Sequence, residues 1–222
     1  KIGLKPLTTA FTMGSIQKLK SIGFNEIKVA SYDCSSIPFL KKLKTYFNQI
    51  IVSTGATFDS EIKQAAEVLH DCDFSFLHCV TIYPTPLDKM NLNRMKFLNQ
   101  FVPSVGLSEH SLVKRDGIKV SKVAVWQGAD IIERHFTILP EDQTKDGPVS
   151  ITPDLLKELV QFSQLDKGSM EEIIKHEIPE YNSMLGGRKR ELTDEELLNR
   201  DYYRGRFASK RNNGDYWYNW EE

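Results

Sequence analysis

Short apolar segments alternate with longer segments of mixed polarity along most of this chain. In the longer segments, apolar residues recur three and four positions apart, as they do on one face of a helix. Strands that alternate with helices pair in parallel and are buried on both faces, so the pattern predicts an α/β fold. The six apolar runs of strand length span residues 4–11, 26–31, 49–54, 74–80, 102–108 and 129–136.

The segments between these runs predict helices, and the pattern changes near Gly168. A further helix is expected to begin at Thr152 and Pro153, which suit the first positions of a helix. After Gly168 the chain is mainly charged and ends in an aromatic tail, with one helix expected over 193–200. We therefore predict a barrel domain over residues 1–168 and a C-terminal extension over 169–222, interpreted as a small appendage or a mobile end.

Polar residues follow nearly every predicted strand. The enzymes built on TIM-type barrels collect their chemistry at this carboxyl end of many strands, whereas an open sheet concentrates it at one switch point. The distribution favours a TIM-type (β/α)₈ barrel, although only six of its eight strand–helix units are visible. The residues concerned are Thr9, Lys28, Ser31, Ser53, Thr81, Tyr83, Ser108, His110 and His135.

Two of the five histidines lie at strand ends. Side chains alternate along a strand, so Glu133 and His135 share one face, as do Ser108 and His110. If these faces meet at the barrel mouth, two imidazoles can bind a divalent metal and leave positions for water and substrate. The alternative is that both are hydrogen-bonded structural histidines. His78, in mid-strand, is expected to be buried and structural.

A second set of strand-end residues suits an anion. Hydroxyls, an ammonium group and the backbone N–H groups of a glycine turn are what a phosphate requires. Each serine could instead cap the helix that follows. The set comprises Lys28, Ser31, Ser53 and Ser108, with the Ser53-Thr54-Gly55 turn. In the loop "YPTP", two prolines hold Tyr83 at the rim, as a substrate wall or as a rigid connection.

The amino-acid composition limits which binding partners and which cellular compartment are expected. The formal net charge is −1, so no global basic field favours nucleic acid or an anionic membrane surface. No apolar run reaches the roughly 18 residues of a membrane-spanning helix. The three cysteines are an odd number without CxxC spacing, which is typical of reduced thiols in a cytoplasmic protein.

Six segments in order resemble the sialic acid synthase family over about residues 1–165. They are "KVASYDCSSIPFL", "IVSTGATFDSEI", "LHCVTIYPTPLDKMNL", "VGLSEHS", "GADIIERHFT" and "TKDGPVSITPD". The resemblance implies a (β/α)₈ barrel that condenses phosphoenolpyruvate with N-acetylmannosamine or a related N-acetylated hexose. The products would be a nine-carbon 2-keto sugar acid and phosphate.

The resemblance also implies roles for individual residues. His110 and His135 would bind Mn²⁺ or Mg²⁺, and Tyr83 and Asp146 would contact the sugar. Asp33 stands where the family usually has a glutamate near the metal and the phosphate. Thr81 stands where some members place an asparagine beside the phosphate. The residues expected to bind phosphoenolpyruvate are Thr9, Lys28, Ser31, Ser53, Thr81 and Ser108, with Thr9 at its carboxylate.

Two departures from the family's pattern lead to further expectations. The family's first two strands, which carry a catalytic glutamate and a second lysine, have no match here, and six units plus two make eight. Residues 200–215 resemble the opening of the family's antifreeze-like domain. In many members this domain reaches over a partner's active site with an arginine, and Arg204 or Arg206 could take that role. A homodimer is one assembly that the family suggests. The alternatives are another metal-dependent phosphoenolpyruvate-condensing or aldolase barrel, and a non-catalytic sugar- or phosphate-binding relic.

Overall fold

A computed structural model describes residues 3–222 of the chain. The first two residues of the predicted barrel range, Lys1 and Ile2, lie outside the described residues. The chain divides into two compact units, one containing residues 1–76 and 191–222 and the other residues 77–190. None of the described helices is both long and apolar enough to cross a membrane.

The described elements follow the predicted alternation of strands and helices. The strands are β1 (Thr9–Ala10), β2 (Glu26–Val29), β3 (Gln49–Ser53), β4 (Asp73–Cys79), β5 (Val105–Glu109), β6 (Ile131–Phe136), β7 (Ser150–Ile151), β8 (Ala208–Lys210) and β9 (Tyr216–Tyr218). The helices are α1 (Ile16–Ser21), α2 (Ile37–Lys44), α3 (Asp59–Leu69), α4 (Met95–Leu98), α5 (Val113–Asp116), α6 (Lys119–Trp126), α7 (Pro153–Ser163), α8 (Lys167–Glu177), α9 (Tyr181–Leu185) and α10 (Asp194–Tyr203).

In the first unit, β1, β2 and β3 are parallel neighbours in chain order, and β4 begins beside them. Helices α2 and α3 cover these strands through apolar faces that are buried, with Phe39 and Leu43 from α2 and Ile62 from α3. The C-terminal residues of this unit form α10, capped by Thr193, and the antiparallel β8–β9 hairpin. The α/β class predicted from the alternation is confirmed here.

In the second unit, β5, β6 and β7 are parallel neighbours, again in chain order. A buried cluster of Ile118, Ile151 and Leu159 joins α6, β7 and α7. Helix α7 begins where the sequence predicts, because the Thr152 hydroxyl accepts a hydrogen bond from the Leu155 N–H. Its amphipathic face packs Leu155 against the same cluster.

Three expectations need comment. The larger sheet of the described residues has seven strands, not six, because β7 has only two residues and lies in what looked like a polar loop. The helix expected between the apolar runs 102–108 and 129–136 is divided into α5 and α6 at Gly117, whose φ of 56° does not continue a helix. Residues 191–222 pack within the first unit. The domain boundary at residue 168 stays a prediction.

Candidate active site

Five of the predicted site residues lie at the ends of strands in the first unit. Thr9 and Lys28 are register partners of the β1–β2 pair. Ser31 and Asp33 begin and end the 3-10 turn that follows β2, and Ser53 is the last residue of β3. The carboxyl ends of adjacent parallel strands meet at one edge, so these side chains belong to one edge of the first unit.

The turn after β3 is buried from Ser53 to Thr57. Thr57 ties it to the neighbouring turn, because its hydroxyl donates to the Ser31 carbonyl at 3.3 Å and to the Gly55 carbonyl at 3.0 Å. The Ser53 hydroxyl has no hydrogen-bond partner within residues 3–222. A buried hydroxyl without a partner costs about 1–3 kcal/mol, so an acceptor placed here would be stabilising.

Asp33 lies in a half-buried, hydrogen-bonded position. Its Oδ1 accepts from the Ser36 hydroxyl at 3.1 Å and from the Asn219 amide at 2.9 Å. Burial raises the pKa of the Asp33 carboxyl above its ordinary value, and the hydrogen bonds from Asn219 and Ser36 oppose that rise. The carboxyl is therefore held in place and is harder to ionise than an exposed aspartate.

The two strand-end histidines lie together in the second unit. The His110 and His135 ring centroids are 5.3 Å apart. His110 is 6% exposed, and its Nδ1 lies 4.0 Å from the Cys79 sulfur. His135 is half-buried, and its Nδ1 lies 3.8 Å from Oδ2 of Asp146. The predicted proximity of the two imidazoles is present, and a carboxylate stands beside one of them.

The loop after β4 positions Tyr83 against His110. Their ring centroids are 4.1 Å apart, while half of the Tyr83 side chain remains exposed. Thr85 anchors the loop, because its N–H donates to the His110 carbonyl at 2.8 Å and its hydroxyl donates to the Ile82 carbonyl at 2.6 Å. Tyr83 is thus an exposed aromatic wall beside an imidazole.

Thr81 and Ser108 complete the predicted set in the second unit, and both are buried. Ser108 lies on β5 opposite Glu133 of β6. Gly106, two positions earlier, faces the β6 backbone so closely that an added Cβ would lie 2.1 Å from the Ile131 carbonyl oxygen. The glycine therefore permits the close approach of β5 and β6.

A buried ionic network occupies the opposite face of the same two strands. Glu109 and Arg134 are register partners and form an ion pair, with side chains that are 0% and 4% exposed. The hydroxyls of Ser111 and Ser121 both donate to the Glu109 carboxylate. Alternation along β5 and β6 thus separates the network from His110 and His135.

Two imidazoles suit a divalent metal whose remaining positions are filled by water and substrate. Among residues 3–222, no group of three or more histidine, cysteine, aspartate or glutamate side chains is arranged to hold a metal ion. A closed structural zinc site needs four protein ligands, which the two imidazoles do not supply.

The predicted site residues form two groups. Thr9, Lys28, Ser31, Asp33 and Ser53 lie in the first unit, and Thr81, Tyr83, Ser108, His110, His135 and Asp146 lie in the second. His78 is buried, as expected, with Nε2 2.6 Å from the Met90 carbonyl oxygen. The sequence interpretation missed the Glu109–Arg134 pair, although opposite charges inside two apolar strands were a usable signal.

Comparison with known proteins gives the family. The model of the NeuB family matches residues 1–175. The N,N'-diacetyllegionaminic acid synthase of Campylobacter jejuni is 35% identical over 176 residues, which are 75% of this chain and 51% of the relative. The chain thus spans about half the length of that relative.

Solved structures agree with this assignment. The spore coat polysaccharide biosynthesis protein SpsE of Bacillus subtilis matches with a TM-score of 0.72 and 28% identity, over 86% of this chain and 53% of that one. The N-acetylneuraminic acid synthetase of Leptospira borgpetersenii, solved with citrate, matches with a TM-score of 0.65 and 29% identity, over 89% and 64%. The predicted fold, part of a TIM-type barrel, is confirmed, and the chain belongs to the NeuB family.

Proposed function

We propose that this chain carries active-site residues of a nonulosonic acid synthase, which condenses phosphoenolpyruvate with an N-acetylated hexose. The observation that carries the proposal is the pairing of His110 and His135, with ring centroids 5.3 Å apart and Asp146 and Tyr83 beside them. Membership of the NeuB family, and relatives named as synthases of such acids, support it.

The proposed reaction forms one carbon–carbon bond. At the carbon that bears the phosphate, it also replaces the bond to the bridging oxygen with a bond to the oxygen of water. The methylene carbon of phosphoenolpyruvate attacks the aldehyde carbon of the open-chain sugar, and the aldehyde oxygen takes a proton. Water adds at the carbon that bears the phosphate, phosphate leaves with its bridging oxygen, and a 2-keto acid remains. The chain must therefore bind a trianion, hold an aldehyde and supply protons at defined atoms.

The first unit offers the groups that an anionic substrate requires. Lys28 supplies an ammonium group, and Ser31 and Ser53 supply hydroxyls at adjacent strand ends. The Ser53 hydroxyl, buried and without a partner in the described part of the chain, is the donor that a phosphate oxygen would satisfy. Thr9, beside Lys28 in the β1–β2 register, is proposed to contact the carboxylate. The phosphoenolpyruvate-binding roles expected for Ser108 and Thr81 stay predictions.

The second unit offers groups for the sugar. Asp146 is exposed and can accept hydrogen bonds from sugar hydroxyls, while the exposed ring of Tyr83 can pack against the sugar. His110 and His135 are proposed to hold Mn²⁺ or Mg²⁺. When bound, that ion would polarise the aldehyde oxygen. Asp33 is proposed to act near the reacting groups, where its raised pKa makes the protonated form more accessible.

A binding experiment tests the metal proposal without relying on turnover. Mn²⁺ binding to the purified chain is measured from the loss of the free-ion electron paramagnetic resonance signal. His110→Ala and His135→Ala are each expected to weaken binding by about tenfold or more, since each removes one of two protein ligands. His176→Ala, at an exposed position, is the matched control and should leave binding unchanged. Unchanged affinity in both active-site variants would contradict the proposal.

A second experiment tests the reaction. Phosphate release from phosphoenolpyruvate is measured with Mn²⁺ and a panel of sugars: N-acetylmannosamine, diacetamido hexoses and non-acetylated aldoses. Release that needs an N-acetylated hexose, gives a keto sugar acid and is lost in both histidine variants is the expected result. Release with only the non-acetylated aldoses would assign another condensing reaction instead. If the chain is folded and releases no phosphate with any of the sugars, a synthase activity of this chain is refuted.

Assembly and compartment belong to the same proposal. A homodimer is proposed because the family suggests it, and sedimentation of the chain would measure it. The described cysteines, Cys34, Cys72 and Cys79, are free thiols, which is typical of a reducing compartment and favours the cytoplasm.

A further inference from the structure

Residues 191–222, here called the C-terminal segment, lie beyond the stretch of the chain that the family model matches. They nevertheless belong to the same compact unit as the strand ends of β1, β2 and β3. Three polar side chains of this segment are buried: Glu196, in the first turn of α10, is 0% exposed, Arg200 is 7% exposed and Asn219 is 1% exposed. Buried polar groups of this kind need partners. Glu196 finds a partner in Thr193 at the start of its own helix, whereas Arg200 and Asn219 find theirs at the candidate site.

Arg200 holds the turn that follows β3. Its Nη1 donates to the Ala56 carbonyl at 2.6 Å and to Oε2 of Glu61 at 3.0 Å, while Nη2 pairs with the other oxygen of Glu61. Ala56 has a φ of 49°, in the left-handed region that non-glycine residues rarely adopt. Glu61 also accepts the Phe58 N–H at 2.9 Å. One guanidinium therefore fixes a strained turn to the first turn of α3.

Asn219 holds the chain after β1 and the turn after β2. Its side-chain oxygen accepts the Met13 N–H at 3.2 Å. Its amide nitrogen donates to the Phe11 carbonyl at 3.0 Å and to Oδ1 of Asp33 at 2.9 Å. The β8–β9 hairpin, which directly precedes Asn219, supplies Ser209, whose hydroxyl accepts the Gly14 N–H at 2.6 Å.

These contacts converge on the residues proposed to bind phosphoenolpyruvate. The turn held by Arg200 begins at Ser53, and the turn held by Asn219 contains Ser31 and Asp33. Thr57 joins the two turns through its hydrogen bond to the Ser31 carbonyl. Hydrogen bonds weaken steeply when donors move from their places, so an anion site made of turn hydroxyls needs those turns fixed.

We propose that Arg200 and Asn219 are positioning residues of the phosphoenolpyruvate site, through which the C-terminal segment fixes the strand-end turns that carry Ser31, Asp33 and Ser53. The inference rests on the proposed function, because it concerns the same ligand. A purely structural role would require only that the segment be folded. A positioning role requires in addition that ligand affinity depend on these two side chains.

The test measures binding of inorganic phosphate and of phosphoenolpyruvate to the full chain by titration calorimetry. Arg200→Met and Asn219→Ala are each expected to raise the Kd for both ligands about tenfold, the effect of losing a hydrogen bond that orders a charged site. Arg200→Lys should recover part of the affinity, because an ammonium can still donate to the Ala56 carbonyl. Arg200→Met/Glu61→Gln, which leaves no unpaired carboxylate, should bind as weakly as Arg200→Met.

Lys44→Met is the matched control. Lys44 also donates to a carbonyl, that of Val68 at 2.9 Å, and pairs with a carboxylate, that of Asp71 at 2.7 Å, within the same unit. Its loss should leave both Kd values unchanged. Hydrogen exchange gives an independent readout: amides of residues 31–36 and 53–58 should exchange faster in the Arg200 and Asn219 variants and not in the control.

The outcomes separate the two proposals. Wild-type chain that binds both ligands, with affinity unchanged in Arg200→Met and Asn219→Ala, overturns the positioning role and leaves the proposed function standing. Equal weakening by Lys44→Met also overturns it, since the effect is then one of general stability. Wild-type chain that is folded and binds neither ligand overturns the proposed phosphoenolpyruvate site and the inference together.

Discussion

The Glu109–Arg134 pair offers a sharp test of how the second unit is held together. Glu109→Gln keeps the shape of the side chain and removes its charge, so no cavity contributes to the result. Apart from the pair, the Arg134 guanidinium donates at 3.4 Å to the Ser111 hydroxyl and at 3.4 Å to the Val149 carbonyl. A cation that is 4% exposed would then lie without its counter-charge.

The magnitude follows from that burial. Removing one partner of a buried ion pair costs about 3–5 kcal/mol, because the other charge stays desolvated. The glutamine oxygen can accept from Ser111 or Ser121, so part of the hydroxyl network survives. We expect the free energy of unfolding to fall by about 3–5 kcal/mol, a large share of the roughly 5–15 kcal/mol that a natural domain has.

Urea unfolding followed by far-ultraviolet circular dichroism measures the change, and a double variant tests its cause. Glu109→Leu/Arg134→Met removes both charges and should cost less than about 2 kcal/mol, since apolar replacement of a whole buried pair is often neutral. Lys175→Ala, which breaks the exposed Lys175–Glu171 pair, should cause no measurable change. A Glu109→Gln chain as stable as wild type, or a double variant as unstable as the single one, would refute the reasoning.

Three further predictions concern other positions. Gly106→Ala should lower the free energy of unfolding by about 3 kcal/mol or more in the same urea assay, because the new Cβ meets the Ile131 carbonyl oxygen. Gly168→Ala is the control and should stay near wild type, since its new Cβ would lie 3.2 Å from its nearest neighbour, Oδ1 of Asp166. Burial raises the pKa of Asp33 from 3.8, so the folded state retains a proton that the unfolded state loses, and stability should fall as pH rises from 3.8 through the folded-state pKa. Asp33→Asn should remove this part of the pH dependence of thermal unfolding. A variant with the same pH profile as wild type would count against the prediction. Burial raises the pKa of Cys34 to about 12, so iodoacetamide should label the half-buried Cys72 before Cys34 in the folded chain. Mass spectrometry measures the two labelling rates, and equal rates would contradict that order.

Much of the fold was predictable because its signals are local. Apolar runs and helical spacing identify β1 to β6 and most of the helices, and Thr152 and Pro153 mark the beginning of α7. The two features that the sequence did not predict, β7 and the division of α5 from α6, also have physical reasons. β7 has two residues, too few for any periodic signal, and it is identified only by its pairing with His135 and Phe136. The division of α5 from α6 depends on one glycine with positive φ.

The candidate site was predictable in part. Period-two alternation predicts that His110 and His135 extend from the same face of their strands, and their rings do lie together. The contacts of Asn219 and Arg200 were not predictable, because they join residues separated by 186 and 144 positions in the chain. Neither has a local pattern, and only the folded first unit brings each residue to its partner.

The two faces of β5 and β6 explain why a charged pair and a histidine pair coexist on adjacent residues. On one face, Glu109 and Arg134 neutralise each other away from water, and two serine hydroxyls satisfy the carboxylate. On the other face, the rings of His110 and His135 lie with their centroids 5.3 Å apart. Because every residue on the strand changes face with its neighbour, displacement of the register by one residue would exchange the two roles. The Glu109–Arg134 pair opposes such a displacement, since only the observed register matches its charges. The buried pair is therefore expected to fix the separation of the two imidazoles as well as to stabilise the second unit.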